Sequence, residues 1–208
     1  ARDRAVQALM ARGARVEAVH FPLMAQARDL WTAMLASAGS DSTFADHMFG
    51  TRSPLAPLKE LGRLAMRRSD HTFPLIALAL FERLPELTPA RTKKLCGQAL
   101  TLKLQFEDAL GDDGVLITPT YPTVAPKHYK ALLPPFNFVN CAIFNALSLP
   151  VTAVPTGLNA SGVPTGVQVV ATEGNDHLTL ACALALESTL GGWAYPVVSN
   201  VIPGAVAR

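Results

Sequence analysis

A serine or cysteine nucleophile needs a base beside it and a third group to hold that base. In this 208-residue chain those types crowd together only at Ser40, Asp41, Ser42 and His47. That spacing fits helix capping in a polar loop better than a hydrolytic relay, and no G-x-S-x-G elbow occurs. The five histidines, His20, His47, His71, His128 and His177, show neither H-x-x-x-H nor H-E-x-x-H spacing, so no zinc site is expected. His128 reads as a loop surface residue and His177 as a first-turn residue of the last helix. Cys96, Cys141 and Cys182 are odd in number, far apart and set in apolar surroundings. Buried free thiols are the expectation, and a reducing compartment suits them. Gly157, Gly162 and Gly166 match neither phosphate-loop pattern and lie between two strands, as turn glycines do. Glu107, Asp108, Asp112 and Asp113 crowd a helix end, where the helix dipole slightly disfavours them, with no further ligands nearby. Residue chemistry alone supplies no active site, no metal site and no cofactor.

The elements that hold these residues are legible from patterning. Half the residues are apolar and 16% are charged, so the chain can build a substantial core. The net charge is +2 without clustered Lys or Arg, which disfavours nucleic acid as a partner. Ala5, Val6, Leu9 and Met10 predict a helix closed at Gly13, and Val16 with Ala18 predicts a strand over Arg15–Phe21. Helices follow at Ala25–Ala36, Pro54–Arg67 and Thr72–Arg83, the last apolar on all sides. Thr88-Pro89 opens a long helix to Leu110. Three apolar strands are expected at Val115–Ile117, Val151–Val154 and Gly166–Ala171, with a short helix at Phe138–Ala146 before the second. Gly157–Pro164 suits a hairpin, and Asp176 N-caps a last helix to Leu190. The sequon Asn159-Ala160-Ser161 carries weight only in a secreted protein. No apolar run reaches the ~20 residues that a membrane crossing needs.

Several strings together resemble the C-terminal third of the amidase-signature family. They are Asp113-Gly114-Val115-Leu116-Ile117-Thr118-Pro119-Thr120-Tyr121-Pro122, Asn145–Pro155, and Gly162-Val163-Pro164-Thr165-Gly166-Val167-Gln168, followed by Asp176 with Leu178–Glu187. Within the family the likeness is to the fatty-amide hydrolases, carried by Gly111–Val115, Pro122–His128, Pro135–Phe138, Asn175–Ala181 and Gly191-Gly192-Trp193. The resemblance implies an α/β fold, the C-terminal part of the amidase-signature fold, with a mixed central sheet flanked by helices. Residues 1–21 and 111–208 would form the sheet portion and residues 22–110 a helical insertion.

The resemblance also implies a serine hydrolase of lipid amides, working through a Ser–cis-Ser–Lys triad and an acyl-enzyme. That family's lysine and Gly/Ser-rich loop lie upstream of the matched region. No such loop occurs here, and Lys59, Lys93, Lys94, Lys103, Lys127 and Lys130 sit in no family motif. No catalytic residue is therefore assigned. The chain, which opens at Ala1 without Met, is expected to be part of a longer amidase and inactive alone. By resemblance, Phe136, Phe138 and Ala142 would line the acyl channel for the lipid amide substrate, although ordinary core packing explains them equally well. The apolar helix Thr72–Arg83 would cover that channel or touch a membrane, and the parent protein would be intracellular and membrane-associated. A second copy of the chain is the other partner left open. The alternatives are an amidase for small or aryl amides and a non-catalytic binding or dimerisation module.

Overall fold

The computed structural model describes residues 1–38, 43–53, 55–81, 88–127, 130 and 136–193. The loop Ser40–Ser42, the helix end at Arg83, His128 and Pro134-Pro135 lie outside the described residues.

Among the described residues three strands form one sheet in the order β1-β3-β2: β1 is Leu116–Thr118, β2 Val151–Leu158 and β3 Pro164–Val170. Both pairings are antiparallel, with Ile117 opposite Val169 and Val154 opposite Val167. The second and third strands form the expected hairpin. At its turn Asn159 Oδ1 accepts from the N–H groups of Ser161 and Val163, each at 2.9 Å, so the sequon residue works as a turn former.

Because side chains alternate across a strand, the sheet separates two cores. On one face Val154, Val167 and Val169 pack with Ala5, Ala8 and Leu186, which come from helices α1 (Arg2–Ala11) and α8 (Asp176–Leu190). On the other, Val170, Leu116 and Val151 meet α2 (Ala27–Ser37) and residues of two later helices, where Leu30, Leu102, Phe106, Ile143 and Phe144 are buried. The small residues Ala5 and Ala8 lie one turn apart and let α1 approach closely, and Arg4 ties it to the hairpin through Leu158 O at 3.2 Å. Gly13, at φ +91°, closes α1 as expected: its N–H and that of Ala14 bond Met10 O and Leu9 O, leaving those carbonyls satisfied.

The strand expected at Arg15–Phe21 is absent. Residues 14–20 carry no regular structure and are exposed, Val16 and Val19 included. The alternation of Val16 and Ala18 suits a strand, but a strand exists only with a neighbour to accept its hydrogen bonds, and none of the described strands lies alongside. The chain instead crosses to the second core, where Phe21 meets Phe106 at 4.4 Å between ring centroids. A 3-10 turn, Pro22–Gln26, then leads into α2.

Helices α3 (Phe44–Phe49), α4 (Ala56–Ala65) and α5 (Phe73–Phe81) pack chiefly on one another. Thr43 caps α3 reciprocally with Asp46. The apolar α5 buries only Ile76 and Ala79 among its described side chains, while Phe73 stays 59% exposed. The long helix α6 (Pro89–Leu110) starts at the expected proline and lies along α2. Helix α8 starts one residue earlier than the pattern suggests: Asn175, not Asp176, is its N-cap, and the Asn175 side chain bonds Thr172 Oγ1 at 2.7 Å instead of the helix.

Candidate functional site

Strand β1 delivers the chain into the Pro-rich exit loop, and helix α7 (Val139–Ala146) follows that loop. Two side chains bind the loop to what lies beneath it. Gln168, in the central strand and 1% exposed, donates from Nε2 to Pro119 O at 3.1 Å and to Asn140 O at 2.8 Å. Cys141 Sγ donates to the next carbonyl, Thr120 O, at 3.0 Å. Burial pushes the Cys141 thiol up from its ordinary value, so the sulfur remains a donor near neutrality. Consecutive carbonyls of the exit loop are thus held by β3 and α7.

The same turn presents Phe136, Phe138 and Ala142. The N–H groups of Cys141 and Ala142 bond Phe138 O at 3.0 and 3.1 Å, which starts α7 directly behind the aromatic pair. Four residues apart, Phe138 and Ala142 share a helical face, and the small Ala142 leaves room beside the ring. Phe138 is 39% exposed and stands edge-on to Trp31 of α2, with centroids 5.2 Å apart. Phe136 lies 6.2 Å from Phe138 and packs against the core. The Arg28 guanidinium sits 5.7 Å over the Phe136 ring, within cation–π range. These residues make an apolar surface with one cation at its border.

A groove of about 380 Å³ lies on the other side of the sheet, between β2 and α8, lined by Thr152, Ala153, Pro155, Leu180, Leu184 and others. Cys182 is half-buried in the core on that side, and burial raises its thiol too. Among the described residues no three His, Cys, Asp or Glu side chains cluster in a way that could hold a metal ion.

The family model described as Amidase matches residues 1–180. The chain belongs to the amidase family. This amidase chain is 43% identical to human fatty-acid amide hydrolase 2 over 188 residues, which is 88% of the chain and 35% of that protein. Fatty-acid amide hydrolase 2-A of Danio rerio is 38% identical over 195 residues, covering 92% of the chain and 36% of the relative. The chain thus spans about a third of the length of these curated relatives. Among solved structures, the allophanate hydrolase of Kluyveromyces lactis superposes with a TM-score of 0.56 at 19% identity, covering 90% of this chain and 29% of that one. That likeness shows the fold alone.

The resemblance named Phe136, Phe138 and Ala142 as channel walls; the structure sets the two rings 6.2 Å apart, and Ala142 follows on α7 with its N–H bonded to Phe138 O. Sequence reasoning missed Trp31, Arg28 and Gln168. Gln168 alone carried a signal, a polar residue in an otherwise apolar strand (Val167 to Val170), which has to find partners when buried. Nothing in the local sequence marks Trp31 as a neighbour of Phe138, because only the packing of α2 on α7 joins them.

Proposed function

We propose that this chain is the C-terminal part of a serine amidase that hydrolyses fatty-acid amides, with the serines and the lysine supplied by residues outside this sequence. One observation carries the reading: 43% identity to fatty-acid amide hydrolase 2 runs through 88% of the chain, yet spans only 35% of that relative. In the expected reaction the serine takes the acyl group, the amine leaves with a proton, and water then releases the acid. This chain's part is to complete the fold and to wall the acyl tail. Phe138, Phe136 and Trp31 offer the apolar surface that a tail needs, and Ala142 offers space beside them.

The test is to assay the longer native polypeptide and purified residues 1–208 side by side, on long-chain and short-chain primary amides. The longer protein is expected to turn over the long-chain amide preferentially, and residues 1–208 to turn over neither. Turnover by residues 1–208 alone would sink the division of labour. A preference for short or aryl amides would move the assignment to a small-amide amidase. A native polypeptide with an intact mass near 22.1 kDa would favour a non-catalytic module instead.

The reading extends to a membrane surface. Leu58 and Leu61 of α4 and its N-cap Leu55 are exposed, as are Met66 just after α4 and Phe73 and Leu75 at the start of α5. Lys59 and Arg63, four residues apart on α4, share a helical face next to those side chains, and Arg63 is paired with Glu60. An apolar face bordered by cations suits a helix lying in the headgroup layer. No helix among the described residues is long and apolar enough to cross a membrane.

A further inference from the structure

We infer that Gln168 is a positioning residue for substrate selection: by fixing the exit loop and the first turn of α7 it sets where the Phe136/Phe138/Ala142 wall stands. The inference rests on the lipid-amide reading and goes beyond it by naming a residue that touches no substrate. Phe136 packs on the core, but the outer part of the wall is more open. Phe138 is 39% exposed and leans on Trp31, and the exit loop from Tyr121 to Lys127 has no regular structure. Gln168 lies in the central strand of the sheet, paired with Thr118 on one side and Ala153 on the other, so its backbone is the best-anchored point nearby. Its amide has two N–H donors, and both are spent on carbonyls of the two segments that must keep register, Pro119 O and Asn140 O. Both partners are acceptors, which fixes the amide's orientation without ambiguity. Cys141, holding Thr120 O, repeats the tie one residue further along.

A glutamine chosen only to fill a core would be a poor choice, because a buried amide costs stability unless its donors are matched. Here they are matched to backbone carbonyls of the exit loop and of the first turn of α7, not to side chains of the core. Oε1 accepts from none of the described residues, so Gln168→Met keeps the size and removes only the two donated bonds. Cys141→Val does the same for the second tie. Loss of these bonds would free the loop and α7's first turn to shift against β3. A displaced wall penalises a substrate in proportion to its contact with the wall, so a long acyl chain suffers and a short one is spared.

The experiment compares wild type, Gln168→Met and Cys141→Val in the full-length protein. It measures kcat and KM on a long-chain and a short-chain primary amide, thermal melting, and Trp31 emission in a background where Trp193 and every tryptophan of the full-length protein other than Trp31 are replaced by Phe. For Gln168→Met the ratio of kcat/KM for long over short amide is expected to fall about tenfold, the worth of roughly one buried hydrogen bond, mainly through KM. Cys141→Val should move it the same way by less, and Trp31 emission should shift in both variants because Phe138 is its neighbour. An unchanged ratio would overturn the inference, as would an equal loss on both substrates that tracks the drop in melting temperature. If wild type shows no long-chain preference, the lipid-amide reading is what has failed. Trp31 emission then decides the positioning claim: a shift in both variants upholds the tie, and no shift in either removes it.

Discussion

Phe138 and Phe144 sit six residues apart, and their surroundings assign them opposite tasks. Phe144 is fully buried, with its ring 5.6 Å from Phe106, and a cavity there has nothing to fill it. Phe144→Ala should therefore cost ~3–5 kcal/mol, read as a lower urea midpoint at constant slope in the full-length protein. Phe138 keeps one edge-to-face contact and much of its surface in water, so Phe138→Ala should cost only ~1 kcal/mol. Its effect belongs in KM for long-chain amides, where Phe144→Ala should change KM little in the folded fraction. Equal destabilisation by the two substitutions would place Phe138 in the core and take it off the proposed wall. Gln168 belongs with this pair as a residue whose burial serves geometry as much as stability.

Helix α4 shows how a composition that looks ordinary can make an unusual surface. Its inner side, Ala56, Pro57 and Leu64, meets α5, and Glu60 on that side bonds both Arg63 and Ser69. The outer side leaves Leu55, Leu58 and Leu61 to solvent, and α5 adds Phe73 at 59% exposure. Individually such residues need no explanation, but several exposed apolar side chains on two packed helices, with Lys59 and Arg63 on the first, suit an apolar contact. Full-length protein should co-sediment with vesicles containing anionic lipid, and Leu58→Glu with Phe73→Glu should reduce the bound fraction several-fold without lowering the melting temperature. Binding that survives the pair of changes would put the membrane contact elsewhere.

The three strands are served by helices on both faces, but among the described residues the sheet's two edges are β1 and β2. Beside β2 the apolar Leu180 and Leu184 of α8 are exposed and border the 380 Å³ groove, and residues 14–20 carry Val16 and Val19 in the open. An edge strand flanked by apolar surface pairs readily with another chain. Purified residues 1–208 should therefore sediment as polydisperse species and melt over a broad range. A monodisperse monomer with a sharp cooperative melt would show that these edges need no cover and would weaken the reading of this chain as part of a longer protein.

Local order was written in the sequence because it depends on neighbours in the chain. The hairpin follows from two apolar strands around Gly157–Pro164, the start of α6 from Thr88-Pro89, and the end of α1 from Gly13. Family membership was legible for a related reason: motifs in a fixed order along the chain survive whether or not the catalytic part is present. The tertiary structure decided what depends on distant partners. It denied a strand to Arg15–Phe21, since hydrogen bonds need a neighbour that the alternation of Val16 and Ala18 cannot summon. It put Trp31 against Phe138 across more than a hundred residues of chain, and it carried Gln168 from a strand motif to the two carbonyls that it holds. Periodicity reports which face of an element is apolar. Which other element covers that face is settled only when the whole chain packs.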